Sequence, residues 1–281
     1  MSNHGSRKLS LFNATLVVLA AILLAARLTL SNGNYGGASL YFLLEVLGSI
    51  LGLGVVYVGI RGYLESGSKR LLLMGLAFFS FAVLDIPYVI SSPGGLSFIL
   101  PEDENVALWF WEAGRLLGSS LLLASVLVPE TTHLIVETGW KRMRYAIAWP
   151  AAILSGAVLY AALLRFSWPY LPGLWDEVGG LTFLKTTSEW IAVFFQIGVA
   201  LAYVQRYLRL RQDILLFFSL GTTCLGFTGI ALTVHKSFYD SFFWVAQGYK
   251  MLAYVFFVLG VWHLSRQEPQ QQIEREPLRS A

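Results

Sequence analysis

Eight stretches of about 20 or more mainly apolar residues constrain this chain more than any other feature. A helix needs roughly 20 such residues to cross a hydrocarbon core ~30 Å thick. In lipid, only helices and closed barrels satisfy their own backbone groups. The stretches run over about 10–30, 38–62, 70–92, 106–128, 144–166, 186–208, 213–235 and 241–264. Soluble domains carry about 25% charged residues. This chain has 13% charged and 56% hydrophobic residues, too little polar surface to cover a water-soluble globule. The expected fold is all-α: a polytopic membrane helix bundle of about eight transmembrane helices. Residues 1–9 are expected as a cytoplasmic N-terminus, 10–264 as the transmembrane domain and 265–281 as a disordered, cytoplasmic polar tail. The first stretch reads as a span rather than a cleaved signal, because its run through Leu30 is long and Ser31-Asn32-Gly33 is a weak cleavage site.

The basic residues set an orientation. With the N-terminus in the cytoplasm, Arg7, Lys8, Arg61, Lys69, Arg70, Lys141, Arg142, Arg144, Arg206, Arg209, Arg211, Arg266, Arg275 and Arg279 all lie inside, 14 of the 20 Lys and Arg. Arg27, Arg165, Lys185 and Lys236 fall near outer ends, and Arg115 and Lys250 within spans. That asymmetry is the positive-inside pattern, and an even number of spans returns the C-terminus to the cytoplasm. The acidic loops Glu102-Asp103-Glu104 and Asp176-Glu177 then face outward. The stretch 167–185, with Trp168, Pro169, Pro172, Trp175, Gly179 and Gly180, reads as an aromatic outer cap at the interface.

Several chemistries are missing from the sequence. Cys224 is the single cysteine, which leaves no intrachain disulfide, cysteine zinc site or iron–sulfur cluster. His4, His133, His235 and His263 sit in different segments and make no metal-ligand spacing, and His235 reads as an interfacial residue. No nucleophile elbow, phosphate loop or zinc-protease motif is present, and no basic block suggests nucleic acid. No internal repeat of the transporter kind is evident.

Charges inside spans are costly, roughly 2.5–3.5 kcal/mol each, and mark functional sites by default. Here they are Glu45, Asp85, Glu112, Arg115, Glu189 and Lys250, with His235 near a span end. All fall in the outer half of the bilayer, although they come from six different spans. Helical spacing groups them with aromatic and polar neighbours: Trp111 and Glu112 with Arg115, Tyr41 with Glu45, Asp85 with Tyr88, and Gln247 with Lys250. Pro87 loosens the third helix beside Asp85. The expectation is a polar, aromatic-walled, outward-opening site lined by Tyr41, Glu45, Asp85, Tyr88, Trp111, Glu112, Arg115, Glu189, Trp190, Gln247 and Lys250. The competing reading is a set of interhelical clips, such as Glu189–Lys250 or Glu45–Arg115, that serve conformational specificity only.

Five short stretches carry a resemblance: Tyr41-Phe-Leu-Leu-Glu45, Leu84-Asp85-Ile-Pro-Tyr88, Phe110-Trp111-Glu-Ala-Gly-Arg115, Ser188-Glu189-Trp190 and Gln247-Gly-Tyr-Lys250. In order and spacing, from about 38 to 264, the chain resembles the membrane-associated sensor 3 domain, an integral-membrane input module of bacterial and archaeal signalling proteins. Glu45, Asp85, Trp111, Arg115, Ser188, Glu189 and Lys250 fall on the shared positions. Tyr41, Tyr88 and Gln247 stand where the family has histidines. The resemblance implies a sensory, ligand-binding membrane module. The family usually feeds a kinase or cyclase, and the short tail after the last apolar stretch puts the output on a separate partner.

The leading functional reading is therefore a non-enzymatic membrane sensor that binds a small polar molecule or a lipid headgroup from outside. Membrane lipids, a separate signalling protein or a second copy are its expected partners, and no cofactor is assigned. Its rivals are a proton-coupled small-molecule transporter and an intramembrane lipid-modifying enzyme. The orientation is open to a direct check: a cysteine placed in the 265–281 tail should resist membrane-impermeant labelling of intact cells, and efficient labelling from outside would overturn it.

Overall fold

The computed structural model describes residues 3–29, 38–92, 100–128, 139–176, 180–235 and 240–279; for 3–7, 9, 23–29, 38, 39 and 263–279 it describes the backbone only. Eight helices account for most of this: α1 Asn3–Thr29, α2 Ala38–Ser66, α3 Lys69–Ser91, α4 Glu104–Leu127, α5 Gly139–Ser167, α6 Phe183–Leu210, α7 Ile214–Leu232 and α8 Ser241–Arg279. The expected spans correspond to these helices one for one. The sequence-based expectations for Arg27, His133, Glu177, Gly179, Lys236 and the tail side chains lie outside the described residues.

Among the described residues, six helices have the length and apolarity to cross a bilayer: those containing Leu40–Ser66, Lys69–Ser91, Gly139–Tyr170, Phe183–Leu210, Ile214–Leu232 and Ser241–Trp262. This is two fewer than the eight expected. The described apolar part of α1 is Ser10–Ile22, which is short. α4 is long enough but carries Glu112 and Arg115 in its middle, and both are buried against partners. The backbone of α8 continues as helix to Arg279, through Pro269 and Pro277; elongating an existing helix avoids the cost of nucleation.

Contacts between helices define a closed ring in the order α2–α3–α4–α6–α7–α8 and back to α2. α1 lies outside it against α7 and α8, and α5 lies outside against α3 and α2. The peripheral position of α5 shows in its burial, since only Ala146, Ala157 and Leu164 are buried along its whole length. Phe78 is fully buried at the centre of the ring, with the rings of Phe81, Tyr254 and Phe257 centred 4.6–5.8 Å away.

The tightest crossing joins α2 and α3. A Cβ at Gly59 would stand 2.8 Å from the Leu71 carbonyl oxygen and 2.9 Å from the Gly75 Cα. Small residues are what let two membrane helices approach so closely. The neighbouring atoms are backbone and cannot swing away, so Gly59→Ala should destabilise the protein by about 1–3 kcal/mol through overpacking. Gly54, where a Cβ meets nothing within 4 Å, supplies the control. Melting in detergent should fall for Gly59→Ala and hold for Gly54→Ala; equal melting of the two would refute the crossing.

Candidate functional site

The helices alternate in direction, so the early residues of α2, α4, α6 and α8 lie at the same end of the ring as the late residues of α3. That end carries the charges read from the sequence, now in two clusters. In the first, Lys250 of α8 donates from Nζ to Glu45 Oε2 of α2 and Asp85 Oδ2 of α3, both at 2.7 Å. In the second, Lys185 of α6 donates to Glu189 Oε1 at 2.6 Å and also pairs with Glu112 of α4. Arg115 Nη2 lies 3.3 Å from Glu189 Oε2. Arg115 also donates to the Leu225 carbonyl at 3.2 Å and to Gln196 Oε1 at 3.4 Å, and Gln196 in turn donates to Ser119 Oγ at 2.8 Å. All seven ionisable side chains are buried.

Trp111 joins the two clusters. Its indole N–H donates to Glu189 Oε1 at 2.8 Å. Its ring has Lys250 Nζ 5.0 Å and Arg115 Cζ 5.6 Å from the centroid, one cation from each cluster. Both distances fall within the range of cation–π attraction, which strengthens where water is excluded. Tyr88 packs on the same indole at 5.2 Å, and Tyr41 meets Tyr88 edge-on at 5.9 Å. The helical spacing of Trp111, Glu112 and Arg115 thus puts all three on the inward face of α4.

α7 supplies no charge to this network but shapes it. Its Leu225 carbonyl receives Arg115, and Gly229 leaves the room that the guanidinium occupies: a Cβ there would collide with Arg115 Nη2 and crowd Glu189 Oε2 at 3.4 Å.

A cap covers the charged end. It comprises a 3-10 turn, Trp168–Tyr170, and a two-residue hairpin in which Trp175–Asp176 pairs antiparallel with Gly180–Leu181. Asn105, in the first turn of α4, latches it by accepting through Oδ1 from the backbone N–H groups of Leu174 at 2.7 Å and Trp175 at 2.8 Å. Asp103 caps the same helix by accepting from Asn105 and Val106. Trp175 stacks on His235, with centroids 5.7 Å apart. His235 is buried, and its Nδ1–H donates to the Leu232 carbonyl at 2.6 Å. The interfacial placement expected for His235 thus becomes a covered one.

Of the residues expected to line one site, Tyr41, Glu45, Asp85, Tyr88, Trp111, Glu112, Arg115, Glu189, Gln247 and Lys250 are all buried at this end. Trp190 is not among them. It is 39% exposed and packs beside Phe194, because one residue past Glu189 rotates about 100° round a helix with 3.6 residues per turn. The expected pairings also differ: Lys250 holds Glu45 rather than Glu189, and Arg115 holds Glu189 rather than Glu45.

The largest addition is Lys185. It was counted among the outer-end charges but is fully buried between two carboxylates. α6 starts at Phe183, with Thr182 as N-cap, so Lys185 already lies in the first turn and points at Glu189. The i,i+4 spacing of Lys185 and Glu189 was the available signal. Asn105, Ser119, Gln196 and Gly229 carried no such mark.

Removing one partner of a buried ion pair leaves the other charged and unsatisfied, at a cost of about 3–5 kcal/mol. Arg115→Leu should therefore lower stability by that amount in detergent melts. Adding Glu189→Gln in the same chain should recover part of the loss, and a neutral effect of Arg115→Leu would show that the guanidinium does not compensate Glu189.

A family comparison now bears on this arrangement. The model of the MASE3 membrane-associated sensor domain matches residues 37–269, which take in α2 to α7 and most of α8. No curated protein and no solved structure matches significantly. The matched segment contains the whole six-helix ring and both charge clusters, and the chain belongs to the MASE3 family of membrane-associated sensor domains.

Proposed function

We propose that this sensor domain reads a small polar molecule bearing a cationic group, which enters beneath the cap and engages the two charge clusters. The observation that supports this reading is an imbalance. Four carboxylates, Glu45, Asp85, Glu112 and Glu189, face three cations, Arg115, Lys185 and Lys250. Three carboxylate oxygens are buried without a hydrogen-bond partner, Glu45 Oε1 in the first cluster and Glu112 Oε2 and Glu189 Oε2 in the second, the last with Arg115 Nη2 3.3 Å away. Acceptors left without donors in a low-dielectric setting are costly, and a cation-bearing ligand would satisfy them. Aromatic walls around a few convergent polar groups suit such a molecule.

Output would run through α8. Lys250 on this helix is held by acids of α2 and α3, and the helix continues to Arg279. A ligand that competes with Lys250 for Glu45 or Asp85 shifts α8 against the ring, which is a recognised mode of switching. In the orientation argued from the basic residues, the cap faces outward and the far end of α8 reaches a separate signalling partner in the cytoplasm.

The test is a thermal-shift screen of the detergent-solubilised protein against small organic cations, including polyamines and quaternary amines, with matched anions. Cationic compounds should raise the melting temperature, and the rise should disappear in Glu45→Gln and Glu112→Gln. A rise that persists unchanged in both variants would place binding elsewhere and end this reading.

A further inference from the structure

A cleft lies at the opposite end of the bundle, beside α5 where this helix packs on α3 and α2. It is open-sided, about 470 Å³ in volume, and walled by α3, α4 and α5. Its walls are Leu72 and Leu76 on α3, Leu117 and Leu121 on α4, and Trp149 and Ile153 on α5. Lys69 and Tyr145 belong to the same cleft and lie nearest the ends of their helices. Polarity is therefore graded: the Lys69 ammonium and the phenols of Tyr63 and Tyr145 lie toward the mouth, and the lining beyond is leucine and isoleucine with the Trp149 indole.

The dimensions match one leaflet of a bilayer. At a rise of 1.5 Å per residue, the cleft runs ~10 Å along α3 from Lys69 to Leu76, ~12 Å along α5 from Tyr145 to Ile153, and ~16 Å along α4 from Val128 to Leu117. Half of a hydrocarbon core is ~15 Å. The groove thus begins at the headgroup level and ends near the mid-plane. The volume of the cleft lies within the roughly 300–1,000 Å³ of small-molecule sites.

Basic side chains gather near the mouth, with Glu65 at the end of α2 paired to Arg61. Arg142 donates from Nη1 to the Leu64 and Glu65 carbonyls at the end of α2, both at 3.3 Å. Arg70, next to Lys69, donates to the Val128 carbonyl at 2.9 Å. It also lines a neighbouring cleft of about 260 Å³ together with Arg206 and Arg209. Basic pockets between membrane helices are where anionic headgroups settle.

We infer that the α3–α4–α5 cleft is a binding site for an anionic phospholipid, with one acyl chain along the leucine floor and the phosphate at Lys69. Such a lipid fills the space that the ring leaves beneath α5 and tethers this helix to α3 and α4. The site lies far from the charge clusters, so its test stands or falls independently of the ligand reading above.

The experiment uses the full chain in a mild non-ionic detergent, with dioleoylphosphatidylglycerol and dioleoylphosphatidylcholine as probes. Native mass spectrometry counts retained lipid, and melting reports its effect. The expected result is one phosphatidylglycerol retained per chain, in several-fold preference to phosphatidylcholine, with a raised melting temperature. Filling the cleft by Leu121→Trp should abolish the adduct, and Lys69→Gln should reduce the preference. Should Leu121→Trp fail to fold, Ile153→Phe on the peripheral α5 fills the cleft from its other side. Equal retention of both lipids, or adducts unchanged in the filled variants, would reduce the cleft to ordinary lipid-facing surface and overturn the inference. Loss of the adduct on filling, with the preference intact in Lys69→Gln, would overturn the headgroup assignment.

Discussion

Seven ionisable side chains held away from water at one end of the ring are stable only in one another's company. A lone ion in a low-dielectric interior carries a penalty of several kcal/mol, which only close, well-oriented counter-charges offset. Lys250 therefore commits α8 to α2 and α3, and Lys185 with Arg115 commits α6 to α4. The same requirement explains why α4 belongs to the ring at all. Its middle is too charged to face lipid, yet it fits between α3 and α6, where each charge has a partner.

Trp111 makes one network from two. An indole can donate one hydrogen bond from its edge and attract cations at its face, and here it does both, donating to Glu189 while Lys250 and Arg115 lie near its ring. The indole is thus the side chain that touches both clusters. α7 completes the enclosure with a carbonyl and a missing Cβ, contributions that need no charge of its own.

This division explains what was legible in the sequence. Apolar length and helical period depend on local spacing, so the helices and the inward faces of Trp111, Glu112, Arg115, Glu45 and Lys250 could be read directly. Which acid meets which base depends on the order of helices round the ring. Nothing local encodes that order, and neither the Glu189–Lys250 nor the Glu45–Arg115 clip given as an example of the competing reading forms in the structure. The burial of Lys185 went unread for a different reason: a lysine three residues into a helix looks like a loop charge until the N-cap at Thr182 is known. Trp190 shows the reverse error, since adjacency to Glu189 in sequence means a different helix face. Gly229 and Asn105 act through the room one leaves and the backbone the other ties down, and neither effect has a signature in residue type.

The two ends of the bundle obey different rules, and α3 and α4 connect them. At the capped end, specificity comes from charges whose partners are fixed to within a hydrogen bond. At the basic end, the ring leaves a graded apolar groove beside α5, which has few buried residues to hold it in place. Asp85 and Lys69 are both on α3, and Arg115 and Leu121 are both on α4, so a displacement of either helix is registered at both ends. Packed helices move as bodies between discrete arrangements rather than deforming continuously. If the proposed switch moves α3 so that the Lys250–Asp85 contact breaks, the groove would change width with it. By reciprocity of linked equilibria, an occupant of the groove that bound one such arrangement better would then bias the charge clusters in return.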